Sequence, residues 1–129
     1  MTKEHNVVVL VDEDREFDSI IEIKLKSAGF AVHVVDVPSA GLELVERVHP
    51  DLVLLDINMP GMNGIEFITK LKEHGQLEYS KVAFFSSLIN PWHESEDLQE
   101  SMKKLGAIAF IDKSVDLDEL VKEVRQLVV

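Results

Sequence analysis

Five short apolar runs recur along this 129-residue chain, separated by amphipathic stretches of helical length. The runs are Val7–Val11, Ala31–Val35, Leu52–Leu55, Val82–Phe85 and Ala107–Ile111. Each is rich in Val, Ile, Leu, Ala or Phe and bounded by polar or turn residues, which marks it as a strand. Leu52–Leu55 carries no polar residue on either face and reads as a strand covered on both sides. Helical patterns fill the gaps. Phe17, Ile20, Ile21, Lys24, Leu25 and Ala28 fall at helical spacing, and Gly29 closes that helix. Pro38–Val48 begins with a proline in its first turn and stops before Pro50. Ile65, Phe67, Ile68 and Leu71 carry a third helix ending near Gly75, and a fourth spans roughly Pro91 to Leu105 and stops at Gly106. The last, Leu117–Val128, starts behind Asp116 as N-cap.

The alternation is (βα) five times, with no internal linker. It predicts an α/β domain: a five-stranded parallel sheet, doubly wound, with right-handed crossovers. The expected strand order is 2-1-3-4-5. Ligands of such sheets bind at the C-terminal rim of the strands, where the order reverses, here between strands one and three. The length suits a single domain over residues 1–129, with a core that needs no disulfide.

Composition removes several function classes. Thirteen basic against 24 acidic residues leave a net charge of −11, which argues against direct nucleic-acid contact. The absence of cysteine excludes disulfides, thiol catalysis and Cys-ligated zinc. Met1–Asn6 is polar and leads straight into a strand, so no signal peptide is visible. No apolar stretch approaches the roughly 20 residues of a membrane span. A cytoplasmic protein with no membrane contact is expected.

The strand ends carry the chemistry. Strand one delivers Asp12, Glu13 and Asp14; strand three, Asp56; strand four, Ser86 and Ser87; strand five, Asp112 and Lys113. Each has an ordinary reading alone: Asp12 or Asp14 could cap the first helix, Ser86 could be a loop hydroxyl, and Lys113 an exposed charge. Four strand ends meeting at one rim argue for function instead. Clustered carboxylates repel unless a cation neutralises them. With no Cys and no His at these ends, the donors are all oxygen, which favours Mg²⁺. An Asp carboxylate can attack phosphorus to form an acyl phosphate. A metal ion and Lys113 would then neutralise the transferring group, and Ser86 could donate a hydrogen bond to it.

The pieces Val-Asp12-Glu13-Asp14, Leu-Leu-Asp56-Ile-Asn-Met-Pro-Gly-Met-Asn-Gly64, Phe-Phe-Ser86-Ser87 and Phe110-Ile-Asp-Lys113 resemble the receiver domain of two-component response regulators. The resemblance covers essentially the whole chain, and the Asp-x-x-Met-Pro-Gly-Met-x-Gly segment is its most specific part. It implies a flavodoxin-like fold of the single-domain chemotaxis-regulator type, without an output domain in this chain. It implies Asp56 as phosphoacceptor from a sensor histidine kinase or phosphotransfer protein, with at most weak self-catalysis. It further implies Asp12 and Glu13 as the acidic metal pair, with Asp56 and the backbone carbonyl of Asn58 completing the Mg²⁺ ligands. Ser86 would be the switch hydroxyl, Phe110 the switch aromatic and Lys113 the lysine beside the phosphate. A downstream protein target would read the face built from helix four, strand five and helix five.

Three departures from the family pattern stand out. Ser114 follows Lys113 where the family usually has a proline behind a cis peptide. A cis bond to a non-proline residue costs about 3–4 kcal/mol, which favours a trans turn here. Ser86 and Phe110 lie 24 positions apart, longer than the family pattern by about one helical turn. Glu13 stands in place of the commoner Asp. Trp92 reads as packing at a helix start, and His5, His33, His49, His74 and His93 as solvated or structural. Glu94, Glu96, Asp97 and Glu100 read as the solvated start of helix four. The rival to a phosphorylation switch is a phosphate-independent, receiver-like protein-docking module. An Asp-nucleophile phosphatase is disfavoured because Asn58 stands where such enzymes place a second acid.

Overall fold

A computed structural model of the chain describes residues 6–59, 61–87 and 96–129. The strands are β1 (Val7–Val11), β2 (Ala31–Val35), β3 (Leu52–Leu55), β4 (Lys81–Ser86) and β5 (Ala107–Asp112). The helices are α1 (Arg15–Ser27), α2 (Pro38–Val48), α3 (Gly64–Glu73), α4 (Glu96–Lys104) and α5 (Leu117–Val128). All strand pairs are parallel, in the order β2-β1-β3-β4-β5 that the alternation predicts.

Strand side chains alternate between two cores. Val9 and Val11 of β1 join Val53 and Leu55 of β3 on one face, under Val45 of α2, Phe67, Ile68 and Leu71 of α3 and Met102 of α4. Val8 and Leu10 join Leu52 and Leu54 on the other face, under Ile21 and Leu25 of α1 and Leu120 and Val124 of α5. Both central strands are thus apolar on both sides, and their eight side chains (Val8–Val11 and Leu52–Leu55) are fully buried. Only the residues just past their ends are free to be polar, and that is where Asp12 and Asp56 stand.

Capping residues set the helix starts. Asp14 caps α1 by accepting from the Phe17 N–H at 3.2 Å, so Asp14 rather than Asp12 takes the capping role. Asn63 caps α3 through the Glu66 N–H at 2.9 Å, and Asp116 caps α5 through the N–H groups of Asp118 and Glu119. Gly29, at φ +100°, closes α1 in a conformation that suits glycine.

The structure corrects the sequence in detail. Ile20 is 53% exposed, and Asp18 occupies an inward position of α1 instead. β4 and β5 each run one residue further than expected, making Ser86 and Asp112 the last residues of their strands. The expected start of the fourth helix near Pro91 lies outside the described residues, as do Trp92, Glu94, His5 and His93. β5 also carries a bulge. Val82 pairs with Ala107 but Ala83 pairs with Ala109, leaving Ile108 out of register and 44% exposed. Beyond it, Phe84 pairs with Phe110 and Ser86 with Asp112.

Candidate functional site

The two acids at the rim are held by the sheet itself. The Asp12 N–H donates to the Val35 carbonyl and the Asp56 N–H to the Val11 carbonyl, each at 3.0 Å. These bonds continue the strand ladder by one step and fix where each side chain leaves the backbone. Asp12 is fully buried and Asp56 is 6% exposed. Lys113 follows β5, and its N–H donates to the Ser86 carbonyl at 3.0 Å. Its Nζ lies 2.6 Å from Asp12 Oδ2 and 3.4 Å from Asp56 Oδ2. The ammonium also lies 5.3 Å from the centre of the Phe17 ring, which itself packs against Phe85.

The loop beyond Lys113 is built without proline. Every peptide bond among the described residues is trans. Asp112 Oδ1 accepts from both the N–H and the hydroxyl of Ser114, each at 2.8 Å, and the Val115 N–H donates to the Asp112 carbonyl. This side-chain turn does locally what a proline would otherwise impose. Lys113 therefore reaches both acids through a trans turn.

The turn after Asp56 is held as tightly. The Asn58 N–H donates to Asp56 Oδ1 at 3.3 Å, and the Gly64 N–H donates to the Ile57 carbonyl at 2.8 Å. A Cβ on Gly64 would sit 2.6 Å from the Asp56 carbonyl oxygen and 2.9 Å from Ile57 Cα. The absence of a side chain at 64 lets α3 begin directly against the phosphoacceptor candidate's own backbone.

Charges in the site are unbalanced. Burial pushes the Asp56 carboxyl above the usual carboxylate range, opposed by Lys113, reinforced by Asp12 and eased by the Asn58 N–H. For Lys113, burial works against the charge, but Asp12 and Asp56 outweigh it and hold the ammonium above its ordinary value. Asp18, 1% exposed, is pushed up to about 8 by burial first, then by the neighbouring Asp12 charge. Asp112 is held below the usual range by the Ser114 N–H and then by its hydroxyl.

Lys113 thus contacts both Asp12 and Asp56, and Ser86, 1% exposed, is joined to it through the Lys113 amide. Glu13 is exposed, and no hydrogen bond or ion pair ties it to another described residue. Asn58 is exposed in the turn. Phe110 lies in the core beneath the α2–α4 face, with Phe84 and Met102. Sequence reasoning named Phe17 only as a helical position and Asp112 and Ser114 only separately, and it did not single out Asp18 or the Asp112–Ser114 hydrogen bonds. Asp18 had a signal: it precedes the buried Ile21 and Leu25 by three and seven positions, on the inward stripe of α1.

Among the described residues, no three His, Cys, Asp or Glu side chains converge into a ready-made metal cage. Two inward carboxylates and an all-oxygen donor set fit Mg²⁺, which binds through one or two carboxylates and keeps much of its water.

Residues 8–125 match the family model of the response regulator receiver domain. The chain belongs to that family. Among curated relatives, the receiver is 40% identical over 86 residues to the nitrate/nitrite response regulator protein NarL of Escherichia coli, covering 67% of this chain and 37% of that protein. It is 30% identical over 119 residues to the transcriptional regulatory protein FixJ of Bradyrhizobium diazoefficiens, covering 92% of this chain and 54% of that one. The chain thus spans about a quarter to a half of the curated relatives it matches. Among solved structures, the BeF₃-activated receiver domain of Klebsiella pneumoniae RstA superposes with a TM-score of 0.80 at 27% identity, covering 95% of this chain and 98% of that one. Vibrio cholerae CheY4 has the same fold, with a TM-score of 0.82 at 20% identity over 95% of this chain and 98% of that one. Receivers of this family are phosphoacceptor signalling domains rather than turnover enzymes. They work with histidine kinases or phosphotransfer proteins, and they bind Mg²⁺ at the acidic pocket.

Proposed function

We propose that this receiver takes a phosphoryl group onto Asp56 from a phosphohistidine of a sensor kinase or phosphotransfer protein, and relays the change to a protein target. The observation that carries this reading is the sharing of Lys113 between two buried carboxylates, Asp12 and Asp56, at the ends of adjacent strands. An Asp56 oxygen attacks phosphorus, the phosphorus–nitrogen bond breaks, the electron pair stays with the histidine, and an acyl phosphate forms. Burial raises the Asp56 carboxyl, and Lys113 and the Asn58 N–H oppose that effect by favouring its anionic form. Asp12, Asp56 and the Asn58 carbonyl, with Glu13 at the rim, would hold Mg²⁺, which supplies positive charge against the transferring group.

Once Asp56 is modified, its neighbours answer the new charge. Lys113 pairs with a phosphoryl oxygen and the Ser86 hydroxyl donates to another. The displacement of Ser86 opens space beside Phe110, and the ring's reorientation reshapes the α4–β5–α5 face that the target reads. Incubation with Mg²⁺ and acetyl phosphate, followed by intact-mass spectrometry, tests the core of this reading. One phosphoryl adduct is expected, absent in Asp56→Asn and after metal chelation. No adduct, or one that survives the substitution, would leave a phosphate-independent docking module as the better description.

A further inference from the structure

Asp18 is a charge where α1 calls for an apolar side chain. It shares its stripe with Ile21 and Leu25 and is 1% exposed. Neither of its carboxyl oxygens receives a hydrogen bond from a donor among the described residues. It faces the Asp12 carboxyl within hydrogen-bonding reach, an acceptor against an acceptor.

Nearby cations are committed elsewhere. Lys113 is divided between Asp12 and Asp56, and three carboxyls therefore depend on one ammonium. Arg15, on the adjoining turn, donates through Nε to Asp36 at 2.7 Å. Lys24 pairs with Asp118 and Lys26 with Glu22. Buried carboxylates in contact repel, and a divalent cation is the partner that reconciles them.

We infer that Asp18 is a working carboxylate of the divalent-ion site, acting through Asp12 from the α1 side and adding charge that the exposed Glu13 adds only at the rim. The inference rests on the receiver reading of the Asp12–Asp56 pocket. Asp18 is a positioning residue: it stands behind Asp12, orients it, and makes the pocket more attractive to Mg²⁺ or Mn²⁺. Outer-shell partners of this kind are worth about 10–100-fold in metal affinity.

The test measures Mn²⁺ affinity by electron paramagnetic resonance of the free ion, with no phosphodonor present. Asp18→Asn is nearly isosteric and can donate to Asp12, so it preserves what a merely structural, protonated Asp18 would do. It is expected to weaken Mn²⁺ binding at least about tenfold without lowering the thermal stability of the metal-free protein. Asp18→Leu continues the Ile21–Leu25 stripe, and is expected to fold at least as stably and show the same loss. Unchanged affinity in either folded variant overturns the inference and leaves the receiver reading intact. Failure of the wild-type protein to bind Mn²⁺ at all would overturn both.

Discussion

Gly64→Ala is a perturbation for which two physical arguments give opposite signs. Gly64 is the first residue of α3, where helix propensity alone favours alanine by up to about 1 kcal/mol. The added Cβ would meet the Asp56 carbonyl oxygen at 2.6 Å, Ile57 Cα at 2.9 Å and the Asp56 carbonyl carbon at 3.2 Å. A relaxed carbon–oxygen contact needs about 3.3 Å or more, so backbone must move by roughly 0.7 Å. Those contacts are backbone atoms of a turn pinned by the Gly64 N–H bond to the Ile57 carbonyl, not the tip of a side chain that can rotate away. Overpacking of this kind costs about 1–3 kcal/mol and here outweighs propensity, for a net loss of about 2 kcal/mol. For a domain of this size that corresponds to a fall in Tm of roughly 5–10 °C. Because the displaced atoms include Asp56 itself, acetyl phosphate labelling should slow as well. Thermal and urea denaturation of the two proteins decide the matter. A variant as stable as the wild type, or more so, would refute the close approach of α3 to the Asp56 turn.

Two further expectations follow from the charge balance of the pocket. Lys113→Met removes the ammonium shared by Asp12 and Asp56, and is expected to cost about 3–5 kcal/mol in chelator, much of it recovered on adding Mg²⁺; a loss that Mg²⁺ leaves unchanged in denaturation curves would argue against the pocket as the ion site. The raised carboxyl of Asp18, at about 8, means the folded protein keeps a proton that the unfolded chain releases near its ordinary value of 3.8. Its contribution to stability is therefore complete below that value and is lost as pH rises towards 8, with Asp56 adding in the same direction. Metal-free protein should lose on the order of 1–4 kcal/mol between pH 5 and pH 8, and Asp18→Asn should flatten that slope; equal slopes would be evidence against the burial of Asp18.

The fold was legible because each strand of the sheet is a compact apolar run, and a two-sided core leaves little ambiguity about which runs are central. The rim acids were legible for the same reason: an acid just past Val11 or Leu55 has nowhere to be but the edge of the sheet. Periodicity was weaker on α1, where Ile20 and Asp18 exchange the expected roles. A helical stripe specifies positions, and it does not say which polar residue occupies one of them to serve the site. The Lys113 loop was misleading in another way. The missing proline suggested a displaced lysine, whereas Asp112 and Ser114 rebuild the turn through side-chain hydrogen bonds that depend on exact placement. Glu13 belongs with Asp12 in sequence, but the chain turns between them and leaves it exposed.

The bulge at Ile108 governs which way the end of β5 points. Before it, Ala107 shares the α2–α4 face with Val82; after it, Phe110 shares that face with Phe84, while Ala109 and Ile111 turn to the α1–α5 side. Were Ile108 instead taken into the ladder, with every residue of β5 alternating strictly from Ala107, Phe110 would fall beneath α1 and α5 and the approach of Lys113 to the acids would reverse. The strand therefore carries a reading frame, and one residue of length sets it. Substitution at position 108 is a matter of surface chemistry and its deletion closes the bulge without moving Ala109, Phe110 or Ile111 off their faces, whereas pairing Ile108 into the ladder exchanges the two faces of the strand's functional end.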